Sequence, residues 1–97
     1  MLDLSQIVGF DWDDGNSVKS TSKHFVAQIE AEQVFVDEHL VLADDVTHST
    51  NEARYHALGR TIEGRLLHVK FTLRDNATKI RLISARDANR KEKALYE

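Results

Sequence analysis

Arg65-Leu66-Leu67-His68-Val69-Lys70-Phe71-Thr72-Leu73, then Arg74-Asp75-Asn76-Ala77, then Lys79-Ile80-Arg81-Leu82-Ile83-Ser84-Ala85: this stretch decides how the chain folds. Side chains alternate across a strand, so Leu67, Val69, Phe71 and Leu73 share one face of residues 65–73. Leu66, His68, Lys70 and Thr72 share the other. One face is expected to enter a core and the other to carry polar chemistry. A turn as short as residues 74–77 makes the strand at 79–85 an antiparallel neighbour, and Thr61-Ile62-Glu63-Gly64 does the same for a strand at 53–59. Leu40-Val41-Leu42-Ala43, closed by Asp44-Asp45, supplies a fourth strand.

Helical signals flank these strands. Asp13-Asp14-Gly15-Asn16 offers capping side chains for a short helix through residue 22, preceded by the apolar element Phe10-Asp11-Trp12. Val26, Ile29, Ala31, Val34 and Phe35 recur at roughly helical spacing across residues 26–35. Asp87 is placed to cap a closing helix whose Ala88, Leu95 and Tyr96 dock while Arg90, Lys91 and Lys93 stay in water. The expected architecture is α+β: an antiparallel four-stranded sheet with short N-terminal helices and a C-terminal helix packed on one face, in a single domain over residues 1–97. Parallel βαβ units are disfavoured because no helix-length segment separates the last three strands.

Charge is distributed unevenly along the 97 residues. Residues 1–50 hold 2 bases and 10 acids, whereas residues 51–97 hold 11 bases and 6 acids, so the net charge of −3 conceals two opposite fields. A cationic half in an acidic chain points to a focused anion site, and phosphate is the biological anion that arginine forks fit. The composition, 41% apolar with no cysteine, allows a core and excludes disulfides, zinc–thiolate sites and thiol nucleophiles. No apolar run reaches the length of a signal or membrane-spanning segment, and a cytoplasmic location is expected.

Five histidines, His24, His39, His48, His56 and His68, invite a metal reading, but none stands in an HExxH frame or at i, i+4 spacing on one helix. Ser84 lies mid-strand rather than in a nucleophile elbow, and four scattered glycines cannot build a phosphate loop. Acid–base and electrostatic chemistry on a phosphodiester remains. Metal-free RNA cleavage needs a base for the 2′-hydroxyl, an acid for the 5′-oxygen and cations for the charge growing on the phosphoryl oxygens. His24, Lys23, Tyr55, His56 and His68 are available for proton work, with Arg54, Arg60, Arg81 and Arg86 as clamps. Each has a plainer reading: Lys23-His24 as a helix C-terminal charge, Arg54 as an ion-pair partner of Glu52, His68 as a half-buried sheet residue.

Read in order, these elements resemble the BrnT family of ribonuclease toxins from type II BrnT/BrnA toxin–antitoxin modules. The residues that carry the resemblance are Phe10-Asp11-Trp12-Asp13 with Gly15-Asn16, Lys19 and Lys23-His24; Glu30-Ala31-Glu32-Gln33-Val34-Phe35; His48-Ser49, Glu52, Arg54-Tyr55 and Leu58-Gly59-Arg60-Thr61; Gly64-Arg65-Leu66-Leu67 with Phe71-Thr72; and Ile80-Arg81-Leu82-Ile83-Ser84-Ala85-Arg86 with Arg90, Glu92 and Tyr96. Two positions depart from the family pattern: Phe25 follows Lys-His where glycine is usual, and Ala27 stands where Ser or Thr commonly caps the second helix. The resemblance implies a compact fold similar to the RelE toxins and metal-independent endoribonuclease activity on RNA, messenger RNA above all, without a cofactor. It also implies neutralisation by a BrnA-like ribbon–helix–helix antitoxin, whose complex with the toxin contacts operator DNA. Catalytic roles are then expected for His24, Lys23, Arg54 and Arg86, and RNA binding for Lys19, Arg60, Arg65 and Arg81. The alternative is a catalytically inactive copy of the toxin fold acting as a partner-bound regulator of DNA, which would have been expected to lose its arginines.

Overall fold

A computed structural model describes residues 4–11, 26–47 and 52–97. The helix expected before residue 22 lies outside them. The described chain runs β1 (Gly9–Phe10), α1 (Gln28–Val34), β2 (Val41–Asp44), β3 (Arg54–Arg60), β4 (Leu66–Arg74), β5 (Lys79–Asp87) and α2 (Arg90–Tyr96). The four strands read from the sequence are present, each displaced by no more than two residues at either end. Together with β1 they form one sheet in the order β1-β5-β4-β3-β2, with β4 at its centre.

The sheet has five strands and is mixed, not four and antiparallel. β1 runs parallel to the edge of β5, Gly9 beside Lys79 and Phe10 beside Ile80. Hydrogen bonds from Val8 N–H to Thr78 O and from Asp11 N–H to Ile80 O hold this pair, so the strand exists through a non-local partner rather than through its own pattern. The β2/β3, β3/β4 and β4/β5 pairs are antiparallel as expected.

The core lies on one side of the sheet. Leu67, Val69 and Phe71 of β4, Ala57 of β3, and Ile80, Leu82 and Ala85 of β5 meet Val26, Ala31 and Val34 from the α1 region, all almost wholly buried. Phe35 packs edge-on against Phe10 and Phe71, tying β1, α1 and β4 together. α1 comes close to β3 because Gly59 has no side chain: a Cβ there would stand 2.8 Å from Val34 Cγ1 and 2.9 Å from the Val34 carbonyl oxygen. Ala27 occupies the N-cap in extended conformation and offers no oxygen, so the helix start is held instead by Glu30, which accepts from Ala27 N–H.

The second helix corrects three expectations. Its N-cap is Asn89, not Asp87; the Asn89 side chain accepts from Glu92 N–H while Glu92 accepts from Asn89 N–H, a complete capping box. Asp87 is instead the last residue of β5, paired in register with Leu67. The helices also do not share one face. Glu92 reaches Arg86 and His68, which point away from the core, so α2 covers one end of the outer sheet face and buries Leu58 there. Leu95, expected to dock, is 72% exposed, whereas Tyr96, expected to dock beside it, donates to Asp37 Oδ2 at 2.6 Å.

Candidate functional site

Strand register decides which of the polar residues meet. On the outer face, Arg54 of β3 lies opposite Thr72 of β4, which lies opposite Arg81 of β5. The next row is His56, Lys70 and Ser84. The third is Leu58, His68 and Arg86. Arg81 and Arg86 are an odd number of residues apart and would face opposite sides of a regular strand. A bulge resolves this: Lys70 pairs with Ser84 and Phe71 with Leu82, leaving Ile83 as the extra residue. The phase of β5 shifts there, so Ile80, Leu82 and Ala85 face the core while Arg81, Ser84 and Arg86 face outward.

Three sequence-read arginines, Arg54, Arg81 and Arg86, therefore share one surface. The structure separates the others. Arg65 directs Nε to Asp87 Oδ1 at 2.6 Å and Nη1 to the Glu30 carboxylate at 3.1 and 3.2 Å, so its fork joins α1 to the end of β5. Asp87 is held below the usual carboxylate range chiefly by that hydrogen bond. Arg60 donates to Gly64 O at 2.8 Å and stacks on the Tyr96 ring at 5.3 Å, at the far end of β3. Tyr55 lies on the inner face, its ring 5.4 Å from that of Phe71, and cannot join the outer cluster. Lys19, Lys23 and His24 lie outside the described residues.

The outer-face arginines carry carboxylates. Arg86 grips Glu92 through both terminal nitrogens, at 2.8 and 2.7 Å; this fork, above all, keeps the Glu92 carboxyl down at about 2. Arg81 lies 3.5 Å from Asp11, and Arg54 lies 3.9 Å from Glu52, which also binds Arg74. The Arg54–Glu52 contact matches the plainer ion-pair reading of that residue.

A feature beyond the sequence reading links the rows. His56 Nδ1 stands 2.9 Å from His68 Nε2, His56 Nε2 is 3.5 Å from the buried Asp45, and His68 Nε2 is 3.7 Å from Glu92. Burial pushes the His68 imidazole down to about 4, against the pull of Glu92 and with help from Arg86, His56 and Lys70. It is neutral at pH 7. The arrangement that satisfies most groups has His68 Nε2–H donating to His56 Nδ1 and His56 Nε2–H facing Asp45. His68 Nδ1 is then a bare buried acceptor without a partner, as it is in the structure. Each histidine was a proton-transfer candidate singly. Their contact was readable only from the β3/β4 register, which sets His56 opposite Lys70 and Leu58 opposite His68.

Two acidic residues that could have been solvent charges belong to the fold. Burial opposes ionisation of Asp37, but hydrogen bonds from Tyr96 and from the N–H groups of Arg60 and His39 outweigh it and lower its pKa. Asp45 is buried beside His56. No group of three or more His, Asp or Glu side chains suited to a metal ion occurs among the described residues. No described helix is long and apolar enough to cross a membrane.

The outer face thus presents clustered guanidinium groups, an ammonium and coupled imidazoles on a rigid sheet, which is equipment for holding a phosphodiester and moving protons beside it. Comparison with curated proteins finds no match. The sequence model of the ribonuclease toxin BrnT, of type II toxin–antitoxin systems, matches residues 12–92, and the chain belongs to that family.

Proposed function

We propose that this toxin is a metal-independent endoribonuclease that cuts RNA, messenger RNA above all, through attack of a 2′-hydroxyl on the adjacent phosphorus. The P–O5′ bond breaks, the 2′-hydroxyl proton passes to a base and the 5′-oxygen gains a proton, leaving a 2′,3′-cyclic phosphate. Arg54 and Arg86 stabilise the charge that grows on the phosphoryl oxygens, Arg81 holds the RNA backbone beside them, and Lys23 or His24 moves protons. Lys19 and Arg60 extend the contact with RNA, whereas Arg65 serves as the clamp between α1 and β5. The observation that carries this reading is the convergence of Arg54, Arg81 and Arg86 on one sheet face. The partner is a BrnA-like ribbon–helix–helix antitoxin, through which the pair contacts operator DNA, and the setting is the cytoplasm.

The test is cleavage of a defined RNA by purified toxin, with the new ends mapped. Arg54→Ala and Arg86→Ala should each slow cleavage by about 10²-fold, the effect of losing one preorganised charge donor. Wild-type rates in both variants would sink the assignment. EDTA should leave the rate unchanged, and its abolition by EDTA would overturn the metal-free mechanism.

A further inference from the structure

Lys70 occupies the middle of the outer face. It lies on the central strand, between Val69 and Phe71, which are wholly buried on the opposite side, and so its backbone is fixed by the core. His56 and Ser84 flank it across the two neighbouring strands. The row on one side of it carries Arg54 and Arg81, and the row on the other carries Arg86. The bulge of β5 falls directly opposite Lys70, and bulges recur beside active sites because they re-aim side chains.

Charge compensation sets Lys70 apart. Arg54 and Arg74 face Glu52, Arg81 faces Asp11, Arg86 faces Glu92, and Lys79 faces Asp75. Arg60 has a carbonyl and a ring. Lys70 is half-buried and has no carboxylate within ion-pair distance among the described residues. Lys70 thus stands between two rows that carry guanidinium groups without a carboxylate of its own. A phosphate diester seated there would supply the anion that Lys70 lacks, between the rows that carry Arg54, Arg81 and Arg86.

We propose that Lys70 is a catalytic residue of the cleavage face, its ammonium contacting a non-bridging oxygen of the scissile phosphate while Arg54, Arg81 and Arg86 hold the backbone around it. Lys70 transfers no proton; it opposes the negative charge that increases as the 2′-oxygen attacks. This rests on the ribonuclease reading above.

Three measurements on one set of proteins test it: single-turnover cleavage at saturating toxin, binding of a 2′-O-methyl RNA that cannot be cut, and the salt dependence of that binding. Lys70→Met and Lys70→Gln should melt near the wild type, cleave about 10²-fold more slowly, and lower the slope of log K against log salt by about 0.7, one phosphate contact on a single strand. Lys70→Arg, which restores the charge, should recover most of the lost rate. Wild-type cleavage and an unchanged salt slope in both neutral variants, while Arg54→Ala and Arg86→Ala are impaired, would overturn the role of Lys70 and leave the ribonuclease reading standing. Weakened binding with an unchanged cleavage rate at saturating toxin would also overturn it, since contact with the scissile phosphate must be felt in the transition state. A wild-type toxin that binds the methylated RNA but cuts none would fail the ribonuclease reading itself.

Discussion

His68 should make the toxin lose stability as the pH falls from neutral towards 4. The residue is 5% exposed, and the groups that face its imidazole are His56 on β3, Lys70 on its own strand, Arg86 on β5 and Glu92 on α2. Burial dominates and lowers the folded-state value to about 4, from 6.5. Between those two values the unfolded chain holds a proton that the folded chain refuses, so acid favours unfolding. With these two values the linkage relation gives a loss of about 2 kcal/mol between pH 8 and pH 5, which in a domain of this size is a fall in Tm on the order of 10 °C. Glu92, whose carboxyl lies at about 2, contributes mainly below its ordinary value of 4.5, so it adds little to the loss above pH 5. Urea unfolding of the wild type and His68→Leu at pH 7.5 and pH 5 isolates the histidine. The wild type should lose about 2 kcal/mol more than the variant over that interval, with m unchanged. Parallel losses in the two proteins would overturn this role of the buried imidazole, because they would show that His68 titrates alike in the folded and unfolded chains.

Three other substitutions probe the frame around the site. Gly59→Ala should destabilise by about 1–3 kcal/mol in urea, since the added methyl meets Val34 side chain and backbone at under 3 Å; an unmoved midpoint would show that α1 can retreat freely. Asp75, Asn76 and Ala77 all have positive φ in the β4–β5 turn, and Ala77, at 66°, has no polar side chain to suit that region. Ala77→Gly should therefore raise stability by up to about 1 kcal/mol, the relief of strain exceeding the added entropy of the unfolded chain; a lowered Tm would count against the strain. Glu92→Gln should flatten the acid limb below pH 4.5, because the ionised carboxylate stabilises the fold above that pH and is neutralised as pH falls towards 2. An acid limb identical to the wild type would place the responsible carboxylate elsewhere.

The strand pattern was legible because alternation and short turns are local: residues 65–73 and 79–85 differ from β4 and β5 by two residues or fewer at their ends. β1 was not, since two residues carry no period and its hydrogen bonds come from the far end of the chain. Asp87 and Asn89 are both good capping residues. What separates them is Glu92, three residues after Asn89 and able to close a capping box, together with an Arg65 fork that claims Asp87. The arginines of the site were visible one at a time as charge in a basic half. Of their partners only Glu52, two residues from Arg54, was legible; Asp11 and Glu92 reach Arg81 and Arg86 from another strand and from a helix rather than at a fixed spacing.

The bulge at Ile83 ties the core to the candidate site more closely than either could be inferred alone. Without it, Arg81 would lie outward only if Arg86 pointed into the core, where a guanidinium would cost several kcal/mol to bury. With it, both arginines stand on one face while Leu82 and Ala85 keep their places against Phe71 and Val69. The ladder irregularity is thus compensated on the inner side by uninterrupted packing and expressed on the outer side as converging charge. It falls beside Lys70, the one residue of that face whose charge the described chain leaves uncompensated by a carboxylate, a carbonyl or an aromatic ring. A slip of one residue in the β4/β5 register would undo both arrangements together, so selection for a packed core also holds the anion-binding geometry in place.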